Sequence, residues 1–263
     1  IISLTTLQIQ AFNPTVISKL SSAQIPILLT SLTTNQINNL VSIQIPFITT
    51  TAIISLTTLQ IQAFNPTVIS NFTSLQIIVL TLSQMISLTT QELYNLTSNQ
   101  VNYITTDELP FLNISAFNPS SIIGLTSKEF AVLTTTQISL LTTTQVTKIL
   151  PTQFNKLSTS QLRVLSASQI YALVDPSDIE AMTPGQIQAL TTFQVSKLLP
   201  ISVSGFTINQ ISILSPMQIM ALTPSELKRP DFKVSTKYFF CEQDSKWVFG
   251  DSDDYFYKEK KRK

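Results

Sequence analysis

At 263 residues and 43% hydrophobic content, the chain is long enough to bury a large core. A net charge of +1 argues against a nucleic-acid groove, which needs many Lys and Arg to displace counterions. With no His and a single Cys (Cys241), Ser-His-Asp and Cys-His catalysis within the chain is excluded, as are a disulfide framework and most zinc or haem sites.

From Leu4 to Leu227 the chain repeats one phrase of eight residues: apolar, Thr, two variable residues, Gln, then Ile or Val, as in Leu141 to Val146. The second residue is Ser, Thr, Asn or Asp in every unit except those at Val41, Leu150 and Leu199. These residue types carry a side-chain oxygen that accepts from the orphan N–H groups of a helix's first turn. Three residues later stands Gln or Glu, which is the capping-box spacing; only Val16, Ala52, Val68, Ser121, Asp178 and Ser202 depart from it. The residue before the cap and the residue four after it are apolar throughout, as in Leu4 with Ile9, the pattern of a hydrophobic staple.

Proline supports the same reading. Pro14, Pro66, Pro119, Pro151, Pro176, Pro184, Pro200, Pro216 and Pro224 each follow a cap directly. That is the first helical position, where the missing N–H costs nothing and φ is already helical. Each unit therefore starts a helix, and the next start comes eight residues later. A continuous helix would drift by about 80° per eight residues, so the chain must turn between units. The spacing predicts helices of one to two turns that persist only when stacked, as a solenoid.

The first departure in chain order is a copy. Residues 1–18 recur unchanged at 53–70, a shift of six units that fits either one superhelical turn or the length of DNA that was copied; the second is the simpler account. The unit at Ser21 is stretched by four residues before Thr33, and a second irregular spacing lies near Phe111 to Phe117. Pro26, Pro46 and Pro110 follow the core residue of their units and predict bends or tight turns. A one-residue slip precedes Asp175.

Glu92, Glu108, Glu129 and Glu226 occupy the Gln slot and Asp175 the cap slot, so capping and the helix dipole account for them without a catalytic role. Asp107 with Glu108, and Asp175 with Asp178 and Glu180, form the acidic clusters of the repeats. The sequons at Asn71, Asn95 and Asn113 are read as chance in a chain so rich in Ser and Thr. No apolar run approaches the ~18 residues of a membrane span. The chain opens at Ile1 in mid-cadence, which reads as a processed chain or a piece of a longer array.

Of the 31 charged residues, 17 lie in 228–263, along with Trp247 and the aromatic runs Tyr238 to Phe240 and Tyr255 to Tyr257. That segment predicts two or three short strands, either capping the last repeat or opening a separate module. Asp251, Asp253 and Asp254 lack the Gly and distant Glu of a calcium loop, and Lys258 to Lys263 reads as a solvating tail.

The cadence Leu133 to Leu141 resembles the tandem short-repeat tracts of large bacterial surface-exposed and secreted proteins. The resemblance implies a passive role in display, adhesion or assembly. The fold expected is therefore all-α: residues 1–227 a solenoid of very short capped helices, with Ile, Val and Leu inside and Thr and Gln towards the turns, and residues 228–263 a small β-rich cap. A β-solenoid is the alternative. No catalytic, cofactor or metal residue is assigned. The function expected is a non-enzymatic structural protein of a filament or cell surface, with self-association or a protein or glycan partner. An extracellular or cell-surface location is expected from the sparse charge of residues 1–227.

Overall fold

The computed structural model describes residues 4–222 and the strands Tyr238–Cys241 and Lys246–Phe249. The two strands pair antiparallel, Tyr238 opposite Phe249. The remainder of 228–263, including Asp251, Asp253, Asp254 and the basic tail, and Glu226 before it, lies outside the described residues. The chain forms two compact units, Ile1–Leu140 and Leu141–Lys263.

Residues 4–222 are all-α, with helices and turns and no strand. Most units of the phrase form α-helices of four to six residues, such as Thr34–Ile37 and Thr90–Asn95. Each begins as the spacing predicts. Thr73 has extended backbone, its hydroxyl accepts from the Gln76 N–H at 3.2 Å, and its own N–H donates to Gln76 Oε1 at 2.8 Å. Where Val41 and Leu150 lack a cap oxygen, the Gln half of the box persists at 2.9 and 2.7 Å. The staple residues on either side of a cap are both buried, as with Leu32 and Ile37. They fill the interior together with Phe64, Phe117, Phe130 and Phe154.

One expectation about the interior is corrected. The Gln of the phrase does not face the turns; Gln36, Gln76 and Gln145 are as buried as the aliphatic core. Its amide nitrogen is used between coils, which explains why burial is tolerated.

Four units make one coil. Gln76 bonds to residues 31 and 28 positions earlier, and the caps Val41 and Thr73 stand one coil apart with Thr49, Thr57 and Asn65 between them. The 52-residue copy therefore matches neither one coil nor two. The copies also differ locally: Pro14–Ile17 is α-helical, whereas the same residues at Pro66–Asn71 form a 3-10 helix.

The irregular spacings turn out to be pairs of short corners. The stretched unit after Ser21 holds Ile25–Leu28 and then the 3-10 turn Leu29–Ser31. The other holds the 3-10 turns Leu109–Phe111 and Ile114–Ala116. Pro46 and Pro110 sit in 3-10 helices, the tight turns expected of them, while Pro26 starts a helix instead of ending one. The slip before Asp175 leaves Val174 as an exposed extra residue.

Two units replace Gln with Ser, and each carries Gly three residues later. The Ser121 hydroxyl donates to the Leu96 carbonyl at 2.5 Å, and Ser202 bonds likewise to Leu173. A shorter side chain draws the two coils together, so no Cβ fits at the following Gly. At Gly124 it would lie 2.0 Å from the Ser98 carbonyl oxygen, and at Gly205 1.9 Å from that of Pro176. Gly124→Ala and Gly205→Ala are expected to destabilise their coils by about 2–4 kcal/mol in urea unfolding. Gly185→Ala meets nothing within 4 Å and lies in the helix Pro184–Ala189, so it is expected to stabilise by about 0.5–1 kcal/mol.

Candidate functional site

The recurring chemistry of the structure is a backbone clamp. In each clamp a Gln of the phrase accepts at Oε1 from the cap N–H of its own helix and donates from Nε2 to two carbonyls of the preceding coil. In the first unit Gln76 Nε2 reaches the Ile45 and Ile48 carbonyls at 2.8 and 2.7 Å, and Gln100 reaches Ile69 and Phe72, both at 2.8 Å. In the second, Gln210 reaches Ile179 and Met182 at 2.9 and 2.8 Å, and Gln218 reaches Ile187 and Leu190 at 2.9 and 2.8 Å. The two carbonyls are chosen by local geometry. They belong to the core residue of the helix, whose carbonyl also accepts from the backbone N–H three residues on (Ile48 to Ile45 at 3.1 Å), and to the apolar residue before the next cap, both near helix ends where carbonyls have spare acceptor capacity. The spacing made the capping half legible. The inter-coil half left no local signal, because its acceptors are backbone atoms about thirty residues away.

Outside the clamp the surface is polar and nearly uncharged, with files of exposed apolar side chains. Ile43 and Phe47 stand on the unit that Gln76 joins to Leu75 and Ile78. Phe111 and Leu140 stand on units joined by Gln137, whose Nε2 bonds to Leu109 and Leu112 at 2.7 and 2.8 Å. In the second unit Tyr171 and Ile201 are exposed, near Leu173 and Ser202 respectively, which are hydrogen-bonded. An open groove of about 430 Å³ is lined by Thr90, Gln91, Tyr94, Asn113, Ser115 and Ala116. Exposed Tyr94 is its one aromatic wall.

The acidic residues are placed as cap chemistry. Asp175 is exposed and accepts from the Ser177 N–H at 2.9 Å, and its bonds to Ser177 lower its carboxyl pKa. Glu92, Glu108 and Glu129 are buried in the Gln slot, each accepting at Oε2 from its cap N–H at 2.5–2.8 Å. Burial raises the carboxyl pKa of Glu92 and Glu129 against the lowering effect of those bonds. Asp178 is buried, and burial followed by the neighbouring Asp175 charge pushes it up to about 7. Asp107 and Glu108 are adjacent in sequence but face differently, Asp107 outward and Glu108 inward. Among the described residues no three metal-ligating side chains gather, and no helix is long and apolar enough to cross a membrane.

The sequons also differ in setting. The Asn113 carbonyl oxygen accepts from the Ser115 hydroxyl at 2.6 Å beside the groove, whereas Asn95 donates to the Gln91 carbonyl at 2.8 Å. Cys241 lies in the first strand of the β-pair. No family model matches the chain, and no curated protein matches it.

Two measurements check this account. Gln76→Ala removes the side-chain donor from the Ile45 and Ile48 carbonyls, of which Ile45 keeps the Ile48 N–H, and is expected to cost about 1–3 kcal/mol in urea unfolding. Gln62→Ala, which removes an exposed bond to the Ser87 carbonyl, is expected to cost under about 0.5 kcal/mol. For Asp178, the native state holds a proton that the unfolded chain releases near pH 3.8. Stability is therefore expected to fall as pH rises from about 4 towards 7. Asp178→Asn flattens that slope in a series of denaturation curves.

Proposed function

We infer that this chain is a non-enzymatic structural repeat protein, a filament-forming or cell-surface component that self-associates by stacking coil on coil. The observation that carries this reading is the two-sidedness of the clamp. Every clamped coil offers amide donors to one side and carbonyl acceptors to the other, and the same spacing recurs from coil to coil. A coil of a second copy therefore meets the same donor and acceptor pattern as a coil of the same chain. Scarce charge in the repeats removes the repulsion that would oppose end-to-end contact. A heterologous contact of this kind grows a filament when it does not close into a ring. The hydroxyl and amide surface favours an extracellular or cell-surface setting.

A second reading is an extended-surface binding module for protein or glycan partners. The groove beside Tyr94 favours it, because uncharged amides and hydroxyls around an exposed aromatic ring suit a sugar face.

Sedimentation and electron microscopy over a hundredfold concentration range separate the two. Self-assembly predicts particles that lengthen with concentration. A size-invariant monomer, with glycan-array binding lost in Tyr94→Ala, replaces the first reading with the second.

A further inference from the structure

Glu92 breaks the chemistry of the clamp while keeping its geometry. The Thr89 N–H and hydroxyl both donate to Glu92 Oε2, at 2.7 and 2.8 Å, as they would to a Gln oxygen. The other carboxyl oxygen, Oε1, takes the place of the amide nitrogen. It is fully buried and has no hydrogen-bond partner among the described residues. In clamped units that position faces two backbone carbonyls of the preceding coil. By the same four-unit register, the residues facing Glu92 are Ile61 and Phe64, which line the apolar interior together with Leu88 and Leu96. An ionised Oε1 would set lone pairs against those carbonyls in an apolar setting, whereas a protonated one has a single O–H that donates to one of them, where the amide has two N–H donors.

We propose that Glu92 is a protonation-operated clasp: its neutral carboxylic acid closes the coil onto the one before it, and loss of the proton releases that contact. No other titratable group competes for the role. Residues 57–72, which include the preceding coil and the packed 3-10 helix Pro66–Asn71, contain no Asp, Glu, Lys, Arg, Tyr or Cys. Neither do residues 112–124 on the other side, where Ile114–Ala116 packs. On its own helix the one titratable neighbour is Tyr94, whose side chain is exposed. The raised carboxyl pKa, caused by burial, agrees with this geometry. The device is independent of whether the protein forms filaments, because it acts within one chain.

The test is amide hydrogen exchange on the full chain across pH 4 to 9, expressed as protection factors for residues 61–65 and 89–93. In the wild type, protection is expected to fall about tenfold for each pH unit above the folded pKa of Glu92. Glu92→Gln installs the amide found in neighbouring clamps and is expected to hold the high protection throughout. Wild-type minus Glu92→Gln infrared difference spectra over the same pH range supply the second readout and are expected to show a protonated-acid carbonyl band that disappears with the midpoint at which protection falls. The proposal is overturned if the two proteins share one pH profile at these amides. It is equally overturned if the difference spectrum shows only a carboxylate over the whole range from pH 4 to 9.

Discussion

Everything in this architecture depends on one amide doing two jobs. The oxygen of the Gln side chain satisfies an orphan N–H at the start of its own helix, and its nitrogen donates to two carbonyls at a helix end one coil earlier, one of which also takes a backbone N–H. Helices of four to six residues are nearly all terminus, so nearly all their backbone groups need partners from elsewhere. The interior has no room for water to supply them, and leaving them unpaired would cost more than so little apolar burial per unit returns. A neutral group with a donor at one end and an acceptor at the other, at the length of Gln, meets both demands. The cap hydroxyl is the weaker partner. Its bond to the Gln76 N–H is 3.2 Å against 2.8 Å for the reciprocal bond, and the box survives in half-form at Val41 and Leu150.

The length of that amide then sets the spacing between coils. Where Ser stands in its place, the carbonyl is still reached, but only because the coils approach until a Cβ at Gly124 or Gly205 would overlap backbone. Side-chain length and backbone clearance vary together. Corner length, by contrast, is free. A corner shortened to a 3-10 turn, as at Leu29–Ser31 or Ile114–Ala116, keeps four corners in the coil. Gln137 still finds its two carbonyls across one such coil.

Half of this was legible in the sequence. Caps, staples and first-turn prolines are local rules with fixed offsets, so Thr5, Leu4 with Ile9, and Pro216 announce helix starts directly. The number of units per coil was not legible, because an eight-residue cadence is equally compatible with three, four or six corners. It took the Gln76 bonds to Ile45 and Ile48 to fix it. The burial of Gln was misjudged for a related reason: composition marks it as polar, and only its distant carbonyl partners make burial affordable. Identical sequence also left the final turn undecided, since Pro14–Ile17 and Pro66–Asn71 settled into different helices in different surroundings.

Such a scheme divides labour between inside and outside. The Gln slot and its staple residues are held by backbone geometry, so substitutions there change the spacing, the stability or the proton dependence of a coil. The two residues after each cap, and those on the outer side of each corner, answer to no such constraint. They carry Ile43, Leu75, Tyr94 and Phe111 on a frame that would tolerate other choices. Diversity of surface on a uniform interior is what a display or assembly scaffold requires. It follows from clamping through main-chain carbonyls, which every residue type supplies alike.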